Sequence, residues 1–219
     1  MQRNMLSYPS LSLAVAAAIG AGCSQPPVLS GLDQPYVWSQ ESESLPVVPV
    51  DQRPVFPGVV AKDLNGDEYT FPQAFEDRVT VASIAWERLD QLKVDTWIAD
   101  QGDFESALGW SEDNPTAEKV WFVEFPTISR RNAFSRWFID NGMRSGIREW
   151  DARARTITLY TDKEPFRAQI GIPNEDDIAV AVIDRKGRVA KMVYGRMTPG
   201  TKKAVLDAVR SVAAEDSRS

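Results

Sequence analysis

The sequence predicts an α/β fold: a mixed central sheet with helices on both faces and a β-hairpin at its N-terminal edge. Three observations carry this. Short runs rich in β-branched residues alternate with segments of helical periodicity from residue 79 onward, the pattern of a largely parallel sheet covered on both sides. A hairpin signal opens the segment, Asp63-Leu-Asn-Gly66 between two short apolar runs, since Asn-Gly is a strong two-strand turn. A second hairpin closes it, residues 178–184 and 188–194 about Arg185-Lys-Gly187.

The elements follow in order. Residues 58–62 and 67–71 are the first hairpin, and Phe71-Pro-Gln-Ala-Phe75 is a helical turn. Residues 79–86, Val-Thr-Val-Ala-Ser-Ile-Ala-Trp, form a buried strand with neither Gly nor Pro. A helix over roughly 89–108 follows, with Leu89, Leu92, Trp97 and Ile98 on one face. Residues 117–125 are the next strand. Residues 131–143 are a helix whose Phe134, Trp137 and Phe138, spaced i, i+3, i+4, are expected in the core. A strand over 155–160, a short helix over 163–170, the second hairpin, and a helix over 201–214 complete the domain, with Val205, Leu206, Val209 and Val212 inward.

Composition bounds the chemistry. The 219 residues are 43% hydrophobic and 26% charged, with seven Trp, nine Phe and five Tyr, enough for a sizeable core. The net charge is −6, which argues against a nucleic-acid partner. There is no His and a single Cys, Cys23. The commonest general base and transition-metal ligand is therefore missing, and neither an intramolecular disulfide nor a CxxC pair can form. No cofactor or metal site is expected.

Ahead of the domain lie two further segments. Residues 1–22 read as an export signal: Arg3, then an apolar run over 11–19 too short to span a bilayer. It ends in Gly20-Ala-Gly-Cys23, which resembles the bacterial lipoprotein signal, although Gly20 stands where that signal usually has Leu. The resemblance implies acylation of Cys23, attachment to a membrane through those acyl chains, and a place in the bacterial cell envelope on the non-cytoplasmic side. Ser24 after the cysteine implies the outer membrane where the host has one. Residues 23–55 are expected to be a proline-rich tether; seven of the fourteen prolines lie between 24 and 57. At roughly 3 Å per residue such a tether reaches about 100 Å. Within it, Tyr36-Val37-Trp38 is expected either to pack on the domain or to meet a partner. The domain is placed at 56–214, with a tail over 215–219.

Taken together, the opening hairpin, residues 79–86, Phe166-Arg-Ala-Gln-Ile-Gly-Ile172 and Ala181-Val-Ile-Asp-Arg-Lys-Gly-Arg-Val189 resemble the thioredoxin-like fold in its lipoprotein and peroxiredoxin-like version. A narrower resemblance is to the mitochondrial ATP synthase assembly factors, chaperones of the membrane sector. It rests on Gln91 and Trp97 in the helix where thioredoxins carry CxxC, on Asn141-Gly-Met-Arg144, on Tyr160, and on Tyr194-Gly-Arg-Met-Thr198. Two departures stand out: a lipoprotein signal replaces the mitochondrial presequence, and Glu175-Asp-Asp177 stands where thioredoxins place a proline. If Trp86 ends the central strand, the two cysteines of a thioredoxin would fall near Asp90 and Lys93.

The resemblance implies a redox-inactive module that binds, assembles or chaperones another envelope or membrane protein. Candidate binding residues are Trp86, Arg88, Leu89, Asp90, Gln91 and Trp97, with Arg88 and Asp90 expected at the surface. An apolar groove about Trp86 and Trp97 competes with the reading that both are core. Two alternatives stay open: a carboxylate-dependent enzyme acting on envelope glycans through Glu87, Asp90 and Asp95, or a purely structural envelope lipoprotein. Glu175, Asp176 and Asp177 are read as a loop in preference to a Ca²⁺ site, and the Trp110 loop as a second place for binding.

Overall fold

The computed structural model describes residues 36–39 and 44–216. The signal segment and Cys23 lie outside the described residues. Seven strands form one sheet: β1 Val59–Asp63, β2 Glu68–Phe71, β3 Thr80–Ala85, β4 Trp121–Ser129, β5 Ile157–Thr161, β6 Ala179–Ile183 and β7 Val189–Tyr194. Their order is β2-β1-β5-β4-β3-β6-β7. Only β3–β4 and β4–β5 are parallel; the other four pairings are antiparallel. The sheet is therefore less parallel than strand–helix alternation implies, because β1 returns antiparallel against β5 and both hairpins sit at the edges.

The helices are α1 Gln91–Ile98, α2 Gln101–Glu105, α3 Ala133–Gly146, α4 Trp150–Arg155, α5 Lys163–Ile170 and α6 Pro199–Asp216. The expected continuous helix over 89–108 is broken into a 3-10 turn (Arg88–Asp90), α1 and α2. Gly102 weakens helical propensity there, and Lys202 reaches across from α6 to Asp100 at 2.7 Å and to Asp103. Helix α4 had no counterpart in the sequence reading. Helix α6 begins earlier than expected, since Thr198 and Thr201 cap each other reciprocally, Thr198 N donating to Thr201 Oγ1 and Thr201 N to Thr198 Oγ1, with Pro199 at the first helical position.

Alternation along the central strands separates two cores. On one face Ala82, Ile84, Val123, Phe125, Ala181 and Ile183 pack with Phe56, Phe71, Phe75 and with Phe166 and Ile170 of α5. On the other, Val81, Phe122, Val180 and Val182 pack with Val94 and Trp97 of α1, Phe104 of α2, and Val205, Val209 and Val212 of α6.

Two expectations are overturned here. The described part of the expected tether packs against the domain. Trp38 is fully buried, its amide N donating to Gly171 O and its indole Nε1 to Ile170 O at 2.8 Å. Val48 N donates to Ala190 O on the outer strand β7. Arg53 is buried between Asp184 (3.0 Å) and Glu215 (2.7 Å). Of the two readings of residues 36–38, the packed one holds. The helix α3 is the second. Phe134, Trp137 and Phe138 are 74%, 63% and 68% exposed, and α3 has no buried residue. Its spacing is that of an apolar helix face, and that face is turned away from the domain.

Candidate functional site

The candidate site is built at the end of β3, where the chain leaves the sheet through Trp86 and Glu87 and turns into α1. Asp90 is buried here, which corrects its expected exposure. Its Oδ2 accepts from Trp86 N and Glu87 N, each at 3.0 Å. The carboxylate thus satisfies two amides that the strand leaves unpaired as it turns, and burial without those bonds would be costly. Lys93, one turn on, spans the site, with Nζ 3.4 Å from Asp90 Oδ1 and 2.7 Å from Asp177 Oδ1. The hydrogen bond it donates to Asp177 and the two negative charges hold the Lys93 ammonium above the ordinary lysine range, against partial desolvation.

Asp177 lies on the loop entering β6, and its carbonyl accepts from Trp86 Nε1 at 3.0 Å. Lys163, at the start of α5, donates to Trp86 O at 3.0 Å and pairs with Glu175 at 2.9 Å. Arg167 pairs with the other oxygen of Glu175 at 3.2 Å. The positions expected to correspond to paired cysteines therefore hold an Asp–Lys pair. Together with the Glu175-Asp-Asp177 loop they form a closed set of ion pairs. This explains the loop acids: Glu175 and Asp177 are each committed to a cation. Among the described residues no group of three or more carboxylates or other ligands is gathered as a metal would need.

The two tryptophans do not share a surface. Trp86 is buried in the α5-side core, against Phe166. Trp97 is buried in the opposite core, its indole donating to Gly195 O at 2.9 Å. Neither lines a groove, because successive turns of chain place them on opposite faces of the sheet. What the site presents to solvent is Arg88, Gln91 and two leucines, Leu89 at 75% and Leu92 at 61% exposure. Gln91 Nε2 donates to Asp95 Oδ1. Of the six candidate binding residues, then, Arg88, Leu89 and Gln91 lie at the surface, and Trp86, Asp90 and Trp97 hold the structure beneath them. Glu87, Asp90 and Asp95 do not converge as an acid pair, since Asp90 spends one oxygen on the backbone and turns the other to Lys93. Trp110 is half-buried under Lys119, whose Nζ lies 4.2 Å from the ring centre.

Sequence reasoning missed Lys93 and Asp177 as a pair, since they meet only when the loop before β6 folds over α1. It also missed Glu124, a carboxylate on β4 with 6% exposure. Burial pushes Glu124 up to about 7, against the lowering effect of Arg155 and of the Gln91 side chain. One signal was available: a single charge inside the otherwise apolar run Trp121-Phe-Val-Glu-Phe125. A surface cavity of about 760 Å³ lies elsewhere, between residues 44–47 and α6, and shares no residue with the β3 end.

No protein-family model and no curated protein matches this sequence. Solved structures do. BsSco, a member of the Sco family of cytochrome c oxidase assembly proteins, superposes with a TM-score of 0.53 at 11% identity, over 76% of this chain and 96% of that one. An electron transfer protein of Aquifex aeolicus gives a TM-score of 0.48 at 11% identity, over 72% and 97%. An exposed lipoprotein thioredoxin of Streptococcus pneumoniae gives 0.45 at 13% identity, over 71% and 99%. At such identities the likeness concerns fold alone, and it matches the architecture above: the described residues form a thioredoxin-like α/β domain whose sheet includes an N-terminal hairpin.

Proposed function

We propose that this thioredoxin-like module is a lipid-anchored binding protein of the bacterial cell envelope that assembles or chaperones another envelope or membrane protein without thiol redox chemistry. The observation that supports it most is the pairing of Leu89 and Leu92, both exposed, above a floor fixed by Asp90, Lys93 and Asp177. A rigid turn presenting apolar side chains with a polar rim, here Arg88 and Gln91, suits the core of a small interface. The sequence resemblance to ATP synthase assembly factors, and a neighbour in fold described as a cytochrome c oxidase assembly protein, favour assembly of a membrane complex as the task. The Gly20-Ala-Gly-Cys23 signal supports the anchor.

The test has two arms. Intact mass of the mature protein is expected to show acyl chains, lost in Cys23→Ala. A photo-crosslinker at Arg88, in intact cells, is expected to join one dominant envelope protein that a crosslinker at Lys203 on α6 does not. Leu89→Ser with Leu92→Ser is expected to lower that yield about tenfold, about 1.4 kcal/mol, with the melting temperature unchanged to within a few degrees because both side chains are exposed. Undiminished crosslinking from the folded double variant would remove the β3 end from the binding role.

A further inference from the structure

Helix α3 is mounted with its apolar face outward. At about 100° per residue, Phe134, Trp137, Phe138, Asn141 and Ser145 share about 100° of arc. The opposite arc holds the helix to the domain through polar groups. Tyr160 Oη donates to Asp140 Oδ1 at 2.8 Å, and the Arg136 guanidinium lies 5.1 Å from the Tyr160 ring centre. At the edge, Arg144 Nε donates to Leu64 O. Two of the three aromatic rings are stacked on each other, Phe134 and Trp137 at 6.2 Å between centres. All three point to solvent, and Trp150, a few residues on, is also exposed. Single exposed apolar residues are ordinary; three aromatics on one outward helix face are not.

The segment that carries this face is opposite in net charge to the rest of the chain. Residues 130–155 carry seven arginines and three carboxylates, in a protein whose net charge is −6. The remainder is accordingly strongly acidic. Arg131 and Arg148 form no ion pair among the described residues, and both are exposed at the two ends of α3. Trp and Phe on one face with arginines at the ends is the composition of a helix that lies in the interface of an anionic bilayer. A protein partner of the same shape would need acidic residues and a groove; a bilayer supplies both the apolar layer and the negative surface. No described helix is long and apolar enough to span a membrane, so the contact is with the surface.

We infer that α3, through Phe134, Trp137 and Phe138 with Arg131 and Arg148, docks the domain on an anionic lipid surface. This is a contact separate from Cys23 and from the β3 end, and it goes beyond the binding role proposed above. It does not depend on acylation. It gives a second membrane attachment, which sets which side of the domain faces the bilayer.

The chain from Ser24 to Ser219 retains every described residue, lacks the export segment, and contains no cysteine. Flotation is expected with vesicles of equimolar phosphatidylcholine and phosphatidylglycerol, and not with phosphatidylcholine alone. High salt is expected to reduce it, since the arginine contribution is screened. Phe134→Ser, Trp137→Ser and Phe138→Ser together are expected to lower partitioning at least tenfold with the melting temperature unchanged. Arg131→Glu with Arg148→Glu is expected to abolish the preference for phosphatidylglycerol. A polarity-sensitive dye on Ser145→Cys is expected to shift to the blue on adding vesicles, and the same dye on Lys203→Cys is not. Absence of flotation, flotation unaltered in the triple variant, or equal dye shifts at the two positions would overturn the inference. So would self-association of the wild-type chain that the triple variant abolishes while vesicles have no effect; the face would then pair two copies of the protein.

Discussion

Glu124 is a buried carboxylate within the sheet. It is on β4, beside Ser83 of β3 and bridged to Thr156 ahead of β5. Arg155 of α4 approaches its Oε1 at 3.5 Å, and Gln91 and Asp95 of α1 lie on its other side. Nearby, Ser83 Oγ and Thr158 Oγ1 are buried without a hydrogen-bond partner among the described residues. Desolvation outweighs the arginine, which holds the carboxyl at about 7 against an ordinary 4.5. The folded chain therefore binds more protons than the unfolded chain between about pH 4.5 and 7, and stability falls as pH rises through that window. Glu124→Gln removes the charge and keeps the shape. We expect the variant to match wild type near pH 5 and to exceed it near pH 8 by on the order of 2 kcal/mol, several degrees in melting temperature. Melting curves at the two pH values check this; a difference that does not grow with pH would mean Arg155 neutralises the carboxylate fully.

At the scale of elements, the junction after α5 decides how the N-terminal segment docks. The helix ends at Gly171 with φ +74°, left-handed, as a helix terminus often requires. A Cβ there would lie 1.8 Å from Tyr36 O, so glycine is needed for the approach of the segment as well as for the backbone angle. Gly171→Ala is expected to cost more than the roughly 1 kcal/mol of left-handed strain alone, since it also displaces Trp38 from its bonds to Ile170 O and Gly171 O. Red-shifted tryptophan emission with a lowered melting temperature is the expected result; an unshifted spectrum would mean the segment docks without that contact.

Elements were also where the sequence was most and least legible. Helix α5 and both hairpins were readable because their signals are local: Phe166 and Ile170 one turn apart before a glycine, Asn65-Gly66 and Lys186-Gly187 at turns. The face of α3 was not. Periodicity at Phe134, Trp137 and Phe138 says that an apolar face exists, and it carries no information on what that face meets. The same holds for Trp86 and Trp97, eleven residues apart on one chain segment and in different cores. Lys93 with Asp177, and Arg53 with Asp184 and Glu215, are contacts between distant residues that no local pattern encodes.

For the molecule as a whole, the domain boundary is set by what residues 36–55 contribute to the core. The sequence places the start of the domain near Phe56, because the prolines before it cannot form a ladder. Yet Trp38 and Val48 belong to the α5-side core. Arg53 neutralises buried Asp184, which also binds Arg188 at 2.8 Å, and buried Lys191 donates to Leu45 O. Irregular backbone is tolerated here because its polar groups find partners on β7 and at the end of α5. One geometric consequence follows for the proposed anchor. Only twelve residues lie between Cys23 and Tyr36, a span of at most about 45 Å, less than half the reach expected of a free tether. A chain beginning at Phe56 would lose a buried tryptophan, worth about 3–5 kcal/mol, and would take Arg53 from Asp184 and Leu45 O from Lys191, with further cost. That sum approaches the whole stability of an ordinary domain, about 5–15 kcal/mol. A chain of residues 36–219 is therefore expected to unfold in one cooperative denaturant transition, and a chain of residues 56–219 to be unfolded or to melt broadly without one. Equal midpoints for the two chains would mean that the N-terminal segment rests on a domain already complete without it.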